Sequence, residues 1–266
     1  MTVFVIVVLS LLALFLFMIM PSRKFKKELS KYDGTLITHR GLYNNEEGIP
    51  ENSLAAFDLA AKNGYAIEFD IRLTKDGEVV VFHDPSLKRM CGVDKKVYDL
   101  TLKELKEYDL LSTEEKIPTL DEMLKTVGNN TLLFVEVKAD EYPPEEIFWK
   151  AKAVLDNFEG KYMVQSFDPR ILFCYRKHQP DVIRGQLATG NYKKGFLIGF
   201  LSCLFCNFIS RPHYVAYLYK NRRNLFFKIS KILGAYSQGW TVRTPEELEE
   251  AKKYYDIIIF ENFEPR

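Results

Sequence analysis

Net charge, cysteine and histidine are all in short supply in this chain. Thirty-seven basic against 36 acidic residues leave +1 over 266 positions, so no global field draws the protein toward nucleic acid. Basic side chains cluster only within the first thirty residues. The four cysteines, Cys91, Cys174, Cys203 and Cys206, form no disulfide framework of the kind small secreted domains carry. Cys203 and Cys206 have Cys-x-x-Cys spacing, but they lie in an apolar run and no second pair completes a zinc site. They read as buried or membrane-facing thiols. Internal repeats, low-complexity tracts and interdomain linkers are also missing, and a hydrophobic content of 47% suits one large core.

What the N-terminus lacks is charge. Residues 2–20 are Val, Ile, Leu, Phe, Met and Ala, with Thr2 and Ser10 the only hydroxylated positions. Such a helix is long enough to cross about 30 Å of hydrocarbon. No charge precedes the run, and Met18-Ile19-Met20-Pro21 is a poor cleavage site, which argues against the alternative of a secretory signal. Arg23, Lys24, Lys26 and Lys27 follow it, and the bias of Lys and Arg toward the cytoplasm keeps the rest inside. The expectation is a single-pass membrane protein: an anchor over 1–21, a basic juxtamembrane tether over 22–31 and one domain over 32–266, on the cytoplasmic side.

Beyond Thr35, short apolar strands alternate with helical stretches. The strands are expected at 35–39, 65–71, 78–83, 132–138, 161–166, 182–187, 213–217, 235–242 and 256–260. Asn52-Ser53 can cap a helix ending at Asn63-Gly64, Thr101 one over 102–108, and Thr119 one over 120–127, while Pro245 sits in the first turn of 245–254. This alternation predicts an α/β fold, a (β/α)₈ TIM-type barrel behind one N-terminal transmembrane helix. Nine strands compete for eight places. No crossover helix fits between 65–71 and 78–83, so either those two form a hairpin or the barrel lacks a helix there.

The most informative stretch runs from Glu68 to Asp84. Glu68 and Asp70 share one face of a strand because side chains alternate with period two. Neighbouring carboxylates repel, and a shared cation relieves that cost. Barrel enzymes carry their reactive groups at the carboxyl ends of the strands. That rule collects His39-Arg40, Glu68 and Asp70, His83, Glu136 and Lys138, Gln165 and Trp240. Three carboxylates for a metal, two imidazoles for proton transfer and two cations for an anion are the parts that cleave a phosphodiester. His178 and His213 lie outside this series and read as structural.

The same residues carry a family resemblance. His39-Arg40-Gly41, Pro50-Glu51-Asn52-Ser53, Glu68-Phe-Asp70, Thr74-x-Asp76-Gly77 and His83-Asp84 resemble the glycerophosphodiester phosphodiesterases. Pro118-Thr119-Leu120, Glu136-Val-Lys138, Gln165-Ser166-Phe167-Asp168 and Trp240-Thr241-Val242 continue the series over nearly everything after the anchor. The resemblance implies metal-dependent hydrolysis of glycerophosphodiesters to an alcohol and glycerol 3-phosphate. It implies general base and acid at His39 and His83, and Ca²⁺ or Mg²⁺ at Glu68, Asp70 and Glu136. Arg40 and Lys138 fall on phosphate contacts. Glu51 falls on an extra contact to metal or substrate, Gln165 on a substrate or supporting contact, and Trp240 on an apolar wall for glycerol or alcohol.

The chain departs from that family near its end. Tyr254-Tyr255-Asp256 replaces a usual Gly-Val-Asp-Gly, Glu261 follows the last strand where a Thr-Asp pair is commoner, and Arg243 stands where asparagine is usual. Substrate identity is therefore left open between soluble glycerophosphodiesters and membrane lysophospholipids, the latter by a lysophospholipase D reaction. A catalytically inactive membrane scaffold is the non-enzymatic alternative, and a phosphoinositide-cleaving phospholipase C lacks the detailed motifs. No protein partner is inferable. Gly195 to Ile209 is almost wholly apolar, and is expected either to dip into the lipid interface beside the mouth or to pack internally.

Overall fold

A computed structural model describes residues 1–139, 141–190 and 203–265. Among the described residues nine strands form: β1 (Leu36–His39), β2 (Ala66–Leu73), β3 (Val79–Val81), β4 (Leu133–Val137), β5 (Tyr162–Ser166), β6 (Arg184–Ala188), β7 (Tyr214–Leu218), β8 (Tyr236–Val242) and β9 (Ile257–Phe260). Eight of them close a parallel barrel in the order β1, β2, β4, β5, β6, β7, β8, β9, with β9 returning to β1. The ninth, β3, is antiparallel to β2, pairing Ile71 with Val81 and Leu73 with Val79. The hairpin alternative is therefore the observed one. β2 runs on past the rim, turns at Asp76-Gly77 and comes back down, so that Phe82 N donates to Asp70 O at 2.9 Å.

The sequence explains the walls. Strand residues alternate between the barrel interior and the helical shell. Ile67, Phe69, Ile71, Val135 and Val137 point outward into a cluster shared with Phe57, Met123 and Phe148. Ile37, Ala66, Phe134, Met163, Tyr214 and Ile257 fill the interior. Gly185 is required there: a Cβ would sit 2.1 Å from the Tyr214 ring. The helices begin at their expected caps. Ser53 Oγ accepts from Ala56 N at 3.2 Å to open Leu54–Lys62, and Thr119 with Glu122 forms a capping box on Leu120–Val127, each cap worth about 1 kcal/mol. Two helices stop earlier than expected, at Leu105 and Ala251. Their last turns tighten into i→i+3 bonds, as at Tyr108 N to Leu105 O and Tyr254 N to Ala251 O.

The chain between β3 and Leu120–Val127 makes an excursion over the carboxyl ends of the strands. It has its own apolar cluster, in which Val80, Leu87, Met90, Val97, Leu105 and Ile117 are buried. At the opposite end of the barrel, Leu29 is fully buried among Ile37, Ala66, Met163 and Tyr236. Around it Ser22 N donates to Pro212 O at 2.8 Å, Arg23 donates to Leu233 O, and Lys24 pairs with Asp181 at 2.6 Å. Residues 22–32 thus stop the amino end of the barrel.

Helix Thr2–Ile19 has a mean hydropathy of 3.1 and is almost entirely exposed, enough to cross a membrane by length and composition. Residues 191–202, most of the apolar segment 195–209, lie outside the described residues. In the remainder Leu204, Cys206 and Asn207 are buried while Phe208 is exposed, and Arg176 donates to the carbonyls of Phe208 and Ile209. Cys91, Cys174 and Cys206 are free thiols. His213 accepts from Arg184 N at 3.1 Å and meets Phe25 edge-on, while His178 packs on Trp149.

Candidate active site

Register assembles the site before any side chain is considered. His39 pairs with Glu68 across β1 and β2, Asp70 with Glu136 across β2 and β4, and Glu136 with Gln165 across β4 and β5. All face the interior one layer above Ile37 and Phe134. The Glu68, Asp70 and Glu136 ligand oxygens lie within 4.8 Å of one another, and all three residues are buried. Lys138, two residues beyond Glu136, reaches Asp70 Oδ1 at 3.0 Å and bonds Glu136.

The acidic group fits a hard divalent cation. Among the described residues, Glu68, 1% exposed, receives only long bonds at 3.4 Å, from Arg40 N and from Gln165 Nε2. Asp70 Oδ1 is buried without a hydrogen bond, although Lys138 stands near it. Burial, then Asp70 and Glu136, pushes the Glu68 carboxyl well above the usual carboxylate range. Burial works against Asp70 too, but Lys138, His83 and Arg40 hold it well below that range. A cation would restore the Glu68 charge, and oxygen ligands of this kind suit calcium or magnesium.

The His-Arg-Gly turn is sterically determined. Arg40 is left-handed (φ 59°), its N–H donating to Glu68 O at 2.8 Å. Gly41 follows at φ 84°, where a Cβ would lie 2.9 Å from Ala56 backbone. The Pro-Glu-Asn-Ser element answers it. Asn52 N donates to Arg40 O, Asn52 Nδ2 donates to Asp70 Oδ2 at 3.0 Å, and Glu51 accepts from Arg40 at 2.6 Å. Arg89, from the excursion, takes the same Glu51 carboxylate at 2.7 and 2.8 Å. Glu51 is therefore occupied by two arginines and stands apart from the metal-type cluster. Gln165 links Glu68 to Tyr214, whose hydroxyl donates to Gln165 Oε1 at 3.2 Å. Trp240 meets Phe167 edge-on, centroids 5.6 Å apart.

His39 and His83 are each held by a carboxylate at Nδ1. His39 Nδ1 donates to Glu261 Oε2, while its Nε2 lies 4.0 Å from Glu68. His83 Nδ1 donates to Asp84 Oδ1 at 2.6 Å, and Arg89 fixes the other Asp84 oxygen at 2.7 Å. Fixing Nδ1 in this way leaves Nε2 to exchange protons. Burial lowers the His83 pKa below the ordinary imidazole value, with Asp70 opposing. Burial would raise both orienting acids, yet Arg89 and His83 hold Asp84 at about 2, and His39 and Arg243 hold Glu261 at about 2.

Asp84, Glu261, Asn52, Tyr43 and Arg89 were not singled out for roles from sequence. Asp84 adjoins His83 in the chain, and Glu261 directly follows β9 on the same rim, so the strand-end rule reaches both. Tyr43, which donates to Glu261 Oε2 at 3.1 Å, and Arg89 carry no such signal.

The glycerophosphoryl diester phosphodiesterase family matches this chain over residues 39–260. Glycerophosphodiester phosphodiesterase 1 of Bos taurus is 31% identical over 184 residues, covering 65% of this chain and 55% of that protein. The glycerophosphodiester phosphodiesterase of Caldanaerobacter subterraneus subsp. tengcongensis is 36% identical over 163 residues, covering 57% and 65%. Both matches span less than two thirds of the relative's own length. A glycerophosphodiester phosphodiesterase structure from Parabacteroides distasonis superposes with a TM-score of 0.70 at 28% identity, covering 86% of this chain and 93% of that one. From His39 at the end of β1 to Phe260 at the end of β9, the matched span takes in the barrel strands from β2 onward with the excursion, and the chain belongs to the glycerophosphoryl diester phosphodiesterase family.

Proposed function

We propose that the protein hydrolyses glycerophosphodiesters to an alcohol and glycerol 3-phosphate, with His39 and His83 as the proton-transfer pair. The observation that supports this most directly is the pair of carboxylate-held imidazoles flanking three buried carboxylates and two cations at the carboxyl end of a family barrel. Glu68, Asp70 and Glu136 would hold a divalent cation, calcium or magnesium, which when bound supplies charge neutralisation at the phosphate. Arg40 and Lys138 orient the phosphoryl oxygens as fixed donors. One histidine takes the proton of the substrate's neighbouring 2-hydroxyl as that oxygen bonds to phosphorus. The other protonates the departing alcohol, and water then opens the cyclic phosphate. Gln165 and Glu51 position Glu68 and Arg40, and Trp240 with Phe167 walls the glycerol.

The test is product analysis. Glycerophosphocholine should yield glycerol 3-phosphate and choline, and His39→Ala and His83→Ala should each lose about 10² to 10⁴ in kcat, the range for general acid–base groups. If both variants kept more than about a tenth of the wild-type rate, the pair would be wrong and an inactive scaffold would gain ground.

Helix Thr2–Ile19 is read as a membrane span with residues 22–266 on the cytoplasmic side, supported by its composition and by the basic residues that follow it. The protein should sediment with membranes through alkaline carbonate, and protease outside intact cells should spare the barrel. A soluble form beginning near Ser22 would identify a removed signal instead.

A further inference from the structure

Arg89 stands between the two halves of the site and belongs to neither. The excursion fixes its backbone. Leu87, fully buried, and Met90, 2% exposed, root the short helix Lys88–Cys91 in the separate apolar cluster. Leu87 N donates to Lys95 O at 2.9 Å, and Leu111 N to Met90 O at 2.6 Å. The side chain between these anchors commits all three guanidinium nitrogens to two carboxylates. Nε donates to Asp84 Oδ2 at 2.7 Å, Nη1 to Glu51 Oε2 at 2.8 Å and Nη2 to Glu51 Oε1 at 2.7 Å. Each of those carboxylates holds a second group. Asp84 Oδ1 accepts from His83 Nδ1 at 2.6 Å, and Glu51 Oε1 accepts from Arg40 Nη1 at 2.6 Å. Arg40 Nε lies 3.4 Å from Asp70 Oδ2. A line of alternating charge therefore runs through Asp70, Arg40, Glu51, Arg89, Asp84 and His83.

Two flexible chains paired in solvent gain little, but neither acid here is loose. Glu51 is 6% exposed, and the next residue, Asn52, is tied by its N–H to Arg40 O and by its amide to Asp70 Oδ2. Asp84 directly follows the histidine that it orients. A planar fork bonding two acids through three nitrogens sets their direction as well as their distance, which a single ammonium cannot do. We propose that Arg89 is a positioning residue for the reaction, one guanidinium that aligns the His83 imidazole through Asp84 and the Arg40 phosphate contact through Glu51. This rests on the hydrolase reading above and adds to it a residue that touches neither the phosphate nor the carboxylate cluster. Without Arg89, Asp84 is free to turn and His83 Nδ1 loses its fixed acceptor, so the ring no longer keeps one tautomer. Glu51, left with Arg40 alone, claims more of that guanidinium and weakens its hold on the phosphoryl oxygens.

The experiment uses the full chain in detergent micelles with calcium supplied. Choline release from glycerophosphocholine gives kcat, and added glycerol 3-phosphate gives an inhibition constant. Asp84→Asn should lower kcat about tenfold to a hundredfold, within the range of an acid–base group, and leave the inhibition constant within twofold. Glu51→Gln should raise that constant at least threefold. Arg89→Ala should do both. Arg89→Lys keeps the charge and loses the fork; it should fall at least fivefold in kcat, and it decides the matter if the alanine variant does not fold. Because the Arg89 side chain is 45% exposed, methylguanidinium should raise the Arg89→Ala rate at least fivefold where methylammonium does not. Ring-nitrogen spectra of His83, assigned against His83→Gln, should show Nδ1 protonated in the wild type and a mixture of tautomers in both Arg89 variants. Loss of the single tautomer in those variants of a chain that turns nothing over would refute the hydrolase reading and leave the positioning role standing. Wild-type kcat and inhibition in Arg89→Lys, or an unchanged His83 tautomer in both variants, would overturn that role.

Discussion

Arg243 Nη2 and Glu261 Oε1 form an ion pair at 2.7 Å across the carboxyl ends of β8 and β9. These are two of the positions at which the chain departs from the pattern of its family, and they depart together. Glu261 turns its other oxygen to His39 Nδ1 and to the Tyr43 hydroxyl, so the pair forms the outer wall of the imidazole. Glu261→Gln should lower kcat by about tenfold to a hundredfold, within the range an acid–base group commands, with KM little changed. Arg243→Asn and Glu261→Asp, each harmful alone, should be less than additive together because the residues touch. Strict additivity in a double-mutant cycle on kcat would show that the pair does not act as a unit.

Acid should expose the same carboxylate. The folded Glu261 ionises at about 2, against about 4.3 in an unfolded chain. A depressed folded value stabilises the protein above the unfolded value and loses that stability as pH falls toward the folded one. The urea midpoint of the wild type should therefore drop between about pH 4.3 and 2, and Glu261→Gln should flatten that limb. An unchanged slope in the variant would deny Glu261 a part in it.

Excess chelator should abolish hydrolysis, and calcium or magnesium should restore it. Glu68→Gln should raise the cation concentration for half-maximal rate at least about tenfold, since a ligand charge is lost, while leaving the thermal midpoint nearly unchanged. Full activity under chelator would remove the cation from the reaction.

Leu29 tests whether residues 22–32 belong to the folded unit. Leu29→Ala leaves a hole at the amino end of the barrel interior and should destabilise the full chain by about 2–5 kcal/mol, read as a lowered urea midpoint in detergent. Truncating the exposed Lys27 side chain to Ala serves as the control and should change little.

Strand positions and the principal cluster were legible because each depends on short-range order. Period-two alternation is enough to put Glu68 and Asp70 on one face, and a barrel rim is enough to add His39, Glu136 and Lys138. Pairing partners were not legible. That Glu51 would be taken by Arg40 and Arg89 depends on where an excursion of nearly forty residues folds back. That Leu29 would close the barrel depends on a segment whose lysines and arginines dominate its composition. Local pattern cannot report contacts made at such separations.

The two imidazoles ride on different parts of the molecule. His39 is built into the barrel wall, whereas His83 hangs from a hairpin whose far side is anchored in the separate apolar nucleus of Val80, Leu87, Met90 and Ile117. The two imidazoles are therefore held in place by different reservoirs of buried surface. Loosening the smaller nucleus would let His83 drift while the barrel stays whole, giving a protein that folds, retains its carboxylate cluster and turns over slowly. In such a chain catalytic competence and global stability are separately tunable quantities, and drift in the excursion is free to alter the first without being felt in the second.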